Sequence, residues 1–165
     1  MTTLLGHLAF RRFTDHTEDL ATEALAFILG KSVVARKAVA EHLARAGVQV
    51  QSDLTYVTQV AGEALDRPDL VGTYLDREVL LIEAKFWAGL TENQPVTYIR
   101  RLESGGALLF LVPEARVVSI WSELLDRCVR AGMSKCGRPS AACAQRFLTT
   151  VATSWLLPGE VCSET

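Results

Sequence analysis

Asp69, Glu83 and Lys85 are the residues of this sequence whose types and spacing could do chemistry. Glu83 and Lys85 follow the apolar run Val79-Leu80-Leu81-Ile82, and thirteen residues separate Glu83 from the aspartate of a Pro68-Asp69 pair. In a strand, side chains alternate between faces, so Leu81, Glu83 and Lys85 share one face and Leu80, Ile82, Ala84 and Phe86 the other. Glu83 and Lys85 are then neighbours about 7 Å apart on a strand that reads as central. Charges placed there cost free energy unless they are paired, hydrated or bound to something. A salt bridge at the end of the sheet is one solution. If the preceding strand, opening at Pro68-Asp69, runs antiparallel beside this one, its aspartate adds a second carboxylate. Two carboxylates and an ammonium suit a hard divalent cation such as Mg²⁺, with the lysine oriented on an attacking water and charge stabilised on a phosphate. Those are the parts of phosphodiester hydrolysis.

The register has to cooperate. Opposite residues of an antiparallel pair share a face, so Asp69 joins Glu83 and Lys85 only if it lies across from one of them. A regular two-residue turn at Asp76-Arg77 would set Asp69 against Ala84, on the wrong side. Asp-Arg also lacks the Asn-Gly or Asp-Gly chemistry of a tight hairpin, so a three-residue turn or a bulge is expected.

The elements that must position these residues follow from periodicity. Thr17, Glu18 and Asp19 suit a helix N-terminus, and Leu20, Ala21, Ala24, Leu25, Phe27 and Ile28 recur at helical spacing to about residue 29. Gly30 should end that helix, and Ser32 can cap a second one running to Gly47. From Leu54 the period becomes two, indicating a strand to about Gly62. Strands near 69–75 and 78–86 complete an antiparallel meander. A helix near 92–102, a buried strand at 107–112, a helix at 115–131 after Pro113 and a last strand near 147–153 follow. Such a last strand at the sheet edge could pair with a second copy in a homodimer. Gly72 reads as a place where backbone packs closely against a neighbour.

Pro68-Asp69 and Glu83-Ala84-Lys85, in this order of elements across roughly residues 17–112, resemble the PD-(D/E)XK nuclease superfamily. The resemblance implies an α/β fold with a restriction-endonuclease-like core, its mixed central sheet built on an antiparallel three-strand meander flanked by helices. It also implies a deoxyribonuclease dependent on Mg²⁺ or Mn²⁺, acting on DNA in restriction, repair or phage defence, alone or in a larger complex. Asp69 and Glu83, with the Ala84 carbonyl, would hold the metal, and Lys85 would position the water. Gln94 and Tyr98 resemble the Q-x-x-x-Y pair of the RecB-like branch, which orients the lysine, metal or substrate. Thr91 and Gln94 also spell a capping box, which would satisfy the helix start instead. The superfamily often adds an acid from its first helix. Glu23, beside Leu20 and Phe27 on the helical wheel, is preferred to Glu18 on the opposite edge. Gln59 and Glu63 are weaker candidates. A catalytically silent nuclease-like subunit that binds DNA or protein is the alternative.

Composition bounds the rest. The 165 residues suffice for a single domain, with a core at about 17–112 and an extension at 113–165. With 49% apolar and 22% charged residues the chain is globular, and no run approaches the roughly 18 apolar residues of a membrane helix. The N-terminus lacks a signal-peptide pattern, so a cytoplasmic location is expected. The four cysteines show no metal-ligand spacing and read as reduced thiols. His7, His16 and His42 are scattered. A net charge of −2 does not advertise a nucleic-acid binder. Five basic residues at 127–146, including Lys135 and Arg138, together with Arg100 and Arg101, are the candidates for phosphate contacts. A solvated face explains the same charges. Phe86 and Trp87 are expected to pack the end of the strand.

Overall fold

The computed structural model describes residues 17–58, 67–102, 105–135, 149–153 and 155–156. Helix α1 (Thr17–Lys31) carries Glu18 and Asp19 in its first turn, where the partial positive charge of the helix end favours them. It passes through Gly30 to Lys31, and Ser32 caps α2 (Val33–Arg45) by accepting a hydrogen bond from the Ala35 N–H at 3.1 Å. Strand β1 (Thr55–Thr58) begins where periodicity places it, and the expected remainder to Gly62, with Gln59 and Glu63, lies outside the described residues.

Strands β2 (Leu70–Tyr74) and β3 (Arg77–Ala84) form the hairpin on which the chemistry depends. The expected helix near 92–102 is shorter, α3 (Val96–Arg101), and is followed by β4 (Ala107–Val112). A 3₁₀ turn (Glu114–Arg116) leads into α4 (Val117–Arg130). Strand β6 (Thr149–Thr153) joins the main sheet, while β5 (Ser134–Lys135) and β7 (Trp155–Leu156) pair separately.

The main sheet is mixed, in the order β1-β2-β3-β4-β6. The meander β1-β2-β3 is antiparallel, β3 and β4 are parallel, and β6 is antiparallel to β4. The parallel pair places β3, with Glu83, near the middle. Its alternation sorts the core into two layers. Leu70, Leu80, Ile82 and Leu109 pack against Leu29 of α1 and Leu43 of α2. On the other face Val71, Leu81, Leu108 and Phe110 pack against Tyr98 and Ile99 of α3 and Ile120, Leu124 and Cys128 of α4. The three α4 residues are four apart, the spacing of one helical stripe. Burial pushes the Cys128 thiol up to about 11, so it stays protonated as a packing residue.

Gly72 meets its expectation. A Cβ there would lie 3.1 Å from Leu54 Cδ1, 3.2 Å from Leu80 Cβ and 3.3 Å from Tyr56 Cε1, so those side chains fill the space its hydrogen leaves. No helix among the described residues is long and apolar enough to cross a membrane.

Candidate functional site

The hairpin turn differs from expectation in position and conformation. The turn residues are Leu75 and Asp76, with φ of 48° and 62°, and Tyr74 pairs with Arg77. Two positive φ values are what a tight type I′ connection needs, and they match the right-handed twist of the strands. Continued regularly, that turn would place Asp69 opposite Ile82. Instead the register slips by one: Thr73 pairs with Glu78, but Gly72 pairs with Leu80 and Leu70 with Ile82. Val79 is the extra residue of a β-bulge. The next pair in sequence is Asp69 with Glu83, so the expected bulge brings both carboxylates to one face.

The contacts there are short and mutual. Ala84 N–H donates to Asp69 Oδ2 at 2.7 Å, and Asp69 N–H donates to Glu83 Oε2 at 3.3 Å. Lys85 Nζ lies 2.7 Å from Glu83 Oε1. The same oxygen accepts a hydrogen bond from Gln94 Nε2 at 2.7 Å, and Gln94 Nε2 also donates to the Tyr98 hydroxyl at 3.0 Å. Glu83, Lys85, Gln94 and Tyr98 are all buried. Gln94 serves both of its expected roles, because an amide has two ends. Its Oε1 accepts from Thr91 N–H at 3.1 Å at the start of the α3 region, while its Nε2 faces Glu83. It precedes the first residue of α3 by two, yet remains within reach of Tyr98.

Burial, and then the neighbouring Glu83 charge, raise the Asp69 pKa from 3.8 to about 7; the Ala84 N–H and Lys85 pull it back, and Asp19 pushes it up again. Burial, and then Glu83, push the Tyr98 phenol well above its ordinary value, so it remains a neutral hydroxyl.

The first helix contributes in a way its sequence concealed. Glu23 is buried on α1, but no group of three or more His, Cys, Asp or Glu side chains poised to hold a metal occurs among the described residues. Asp19 of α1 adds its charge to those that raise the Asp69 pKa. Glu18 Oε1 accepts hydrogen bonds from the N–H groups of Trp87 at 2.7 Å and Ala88 at 3.1 Å, tying the loop after Lys85 to α1. Both acids fit the charge preference of a helix start, and nothing local distinguishes that role from reaching residues 50 to 70 positions away.

The basic residues are largely engaged within the chain. Arg101 forms an ion pair with Glu78, Arg127 with Glu123, and Arg130 with Asp126. Arg127 also donates to the carbonyls of Leu90, Thr91 and Gln94, clamping the segment that carries Gln94. Arg116 Nη1 donates to the Lys85 carbonyl at 3.0 Å. Arg100 is exposed. Arg138 lies outside the described residues, as does the Lys135 side chain. Trp87 does not pack the strand end: it is 77% exposed, while Phe86 turns inward.

The adjacent, partly desolvated Asp69 and Glu83 carboxylates supply oxygens of the kind a hard cation takes, while the Lys85 ammonium and the Gln94 NH₂ group lie against Glu83 as hydrogen-bond donors. No family model, curated protein or solved structure matches this chain.

Proposed function

We propose that the chain is a metal-dependent deoxyribonuclease of the PD-(D/E)XK type. The observation that carries the reading is the bulge-set register, which puts Asp69 across from Glu83 with Lys85 and Gln94 both on Glu83 Oε1. The donor set fits Mg²⁺ or Mn²⁺. Asp69 and Glu83, with the Ala84 carbonyl, would hold the ion, water and substrate phosphate completing a shell that needs only one or two carboxylates. When bound, such a cation supplies Lewis-acid stabilisation of charge on the phosphate.

The chain's own groups do the rest. Lys85 carries the ammonium that orients the attacking water. Gln94 fixes the Glu83 carboxylate, and Tyr98 holds Gln94 by accepting its second N–H. Arg116 holds the Lys85 carbonyl, and Glu18 holds the chain just beyond it.

The test is cleavage of circular and linear DNA in Mg²⁺, Mn²⁺ and EDTA, with Lys85→Ala alongside. Metal-dependent cleavage that falls by roughly 10²-fold or more in the variant is the expected result, the scale for losing a positioned charged group. Cleavage that persists in EDTA, or is unchanged in folded Lys85→Ala, refutes the assignment. A second reading, a catalytically silent subunit of the same fold that binds DNA or protein, is favoured by two features. The Lys85–Glu83 contact is a closed ion pair, and the arginines of α3 and α4 other than Arg100 are paired within the chain. Absence of cleavage from a well-folded wild type would select it.

A further inference from the structure

Trp87 is the largest exposed apolar side chain near the candidate site, and its surroundings are built. Its neighbour Phe86 points into an apolar cavity of about 290 Å³ lined by Ala21, Thr22 and Leu25 of α1 and Ile82 of β3. Trp87 points to solvent instead, with 77% of its surface exposed. The backbone beneath it is held at both ends. Glu18 Oε1 takes the N–H groups of Trp87 and Ala88, and at Lys85 the N–H donates to Leu111 O at 2.9 Å while the carbonyl accepts from Arg116. A fixed loop presenting a bare indole has little entropy left to lose when something stacks on it.

Position indicates what that is. Two residues of chain span at most about 7 Å, so a strand whose phosphate sits at Lys85 carries an adjoining base within reach of the indole. Every nucleobase offers a π-face, and stacking on an aromatic side chain tolerates any sequence. Inside an intact duplex those faces are covered by neighbouring pairs, so only an unpaired base can be taken. We propose that Trp87 is a stacking platform for an unpaired nucleobase next to the scissile phosphate, with Glu18 as the residue that sets its loop. The substrate class is thereby DNA that is single-stranded or locally opened at the cut. This assignment rests on the phosphodiesterase reading of the Asp69–Glu83–Lys85 site.

The experiment measures binding, independently of turnover. Fluorescence anisotropy in Ca²⁺, which takes the same oxygen ligands, compares a labelled single-stranded oligonucleotide with a covalently closed duplex of the same sequence. The wild type, Trp87→Ala and Trp87→Tyr are used, folding being checked by circular dichroism. Trp87→Ala is expected to weaken single-strand binding by about 5- to 150-fold and closed-duplex binding by less than about twofold, with Trp87→Tyr recovering most of the loss. Unchanged single-strand affinity in Trp87→Ala, an equal loss on both substrates, or no recovery with tyrosine overturns the proposal while leaving the nuclease reading intact. A wild type that binds neither DNA and leaves DNA uncut in Mg²⁺ and Mn²⁺ overturns both.

Discussion

Replacing Asp69 by asparagine should stabilise the metal-free protein, and only above the ordinary range of carboxylate titration. Asp69 sits at about 7 instead of 3.8, chiefly because it is buried and secondarily because Glu83 lies beside it. A carboxyl whose pKa is higher in the folded chain than in the unfolded one holds its proton more tightly when folded. Between about 4 and 7 the native state therefore binds more protons, and stability falls as pH rises through that window. The displacement, at about 1.4 kcal/mol for each tenfold change in proton affinity, sets an upper bound of about 4 kcal/mol above pH 7. Partial exposure of Asp69 lowers that to about 2–3 kcal/mol. Asparagine removes the charge and keeps an oxygen for the Ala84 N–H. Urea unfolding in EDTA should show the two proteins equal within error near pH 4 and Asp69→Asn ahead by about 2 kcal/mol at pH 8. Adding Mg²⁺ at pH 8 should close the gap by stabilising the wild type alone. A difference that is the same at pH 4 and pH 8, or a wild type at least as stable at pH 8 as the variant in EDTA, would refute the electrostatic account of the site.

Two further perturbations probe the hairpin that creates the site. Leu75 is 78% exposed and holds φ of 48°, a conformation that disfavours a bulky side chain and suits asparagine. Leu75→Asn should raise stability by about 0.5–1 kcal/mol, measured by thermal or urea unfolding, with DNA cleavage unchanged. Deleting Val79 should leave a regular ladder with Asp69 still opposite Glu83, so metal-dependent cleavage survives while stability drops by about 1–2 kcal/mol for the lost half-buried side chain. Loss of cleavage in a folded deletion variant would mean that the bulge does more than absorb one residue.

The elements were legible where pattern and core agree. The run 107–112 reads as a buried strand and is one, because every position but Leu111 is fully buried. Leu81 and Glu83 fall on one side of β3 and Leu80 and Ile82 on the other, as alternation requires. Gly72 was legible too, since a strand interior tolerates glycine only where something occupies its space. Glu18 and Asp19 were not. Their helix-start chemistry explains them fully at short range, so only the folded chain reveals Glu18 on the Trp87 loop and Asp19 beside Asp69. Trp87 was misread because a large apolar residue after a buried strand usually continues the packing. Here the chain bends at Phe86, which takes the inward place.

The bulge is the part that sequence could demand but not locate, and parity explains why. Even-numbered Leu70, Leu80 and Ile82 must face α1 and α2, so residues paired across the hairpin must have numbers summing to an even value. A tight turn at Leu75-Asp76 makes that sum odd, since Tyr74 pairs with Arg77. One residue must therefore leave the ladder somewhere between the turn and the core. Burial fixes the pairing of Leu70 with Ile82 and of Val71 with Leu81, so the slip can fall only on the turn side of these pairs. There Val79 packs with the same cluster as its neighbour Leu80, two successive residues on one side, as a bulge produces. Glu78, just before it, is left on the opposite face, where Arg101 of α3 meets it. The apolar core thus dictates the register, and the register places the carboxylates: Asp69 lies across from Glu83 because Leu70 must lie across from Ile82.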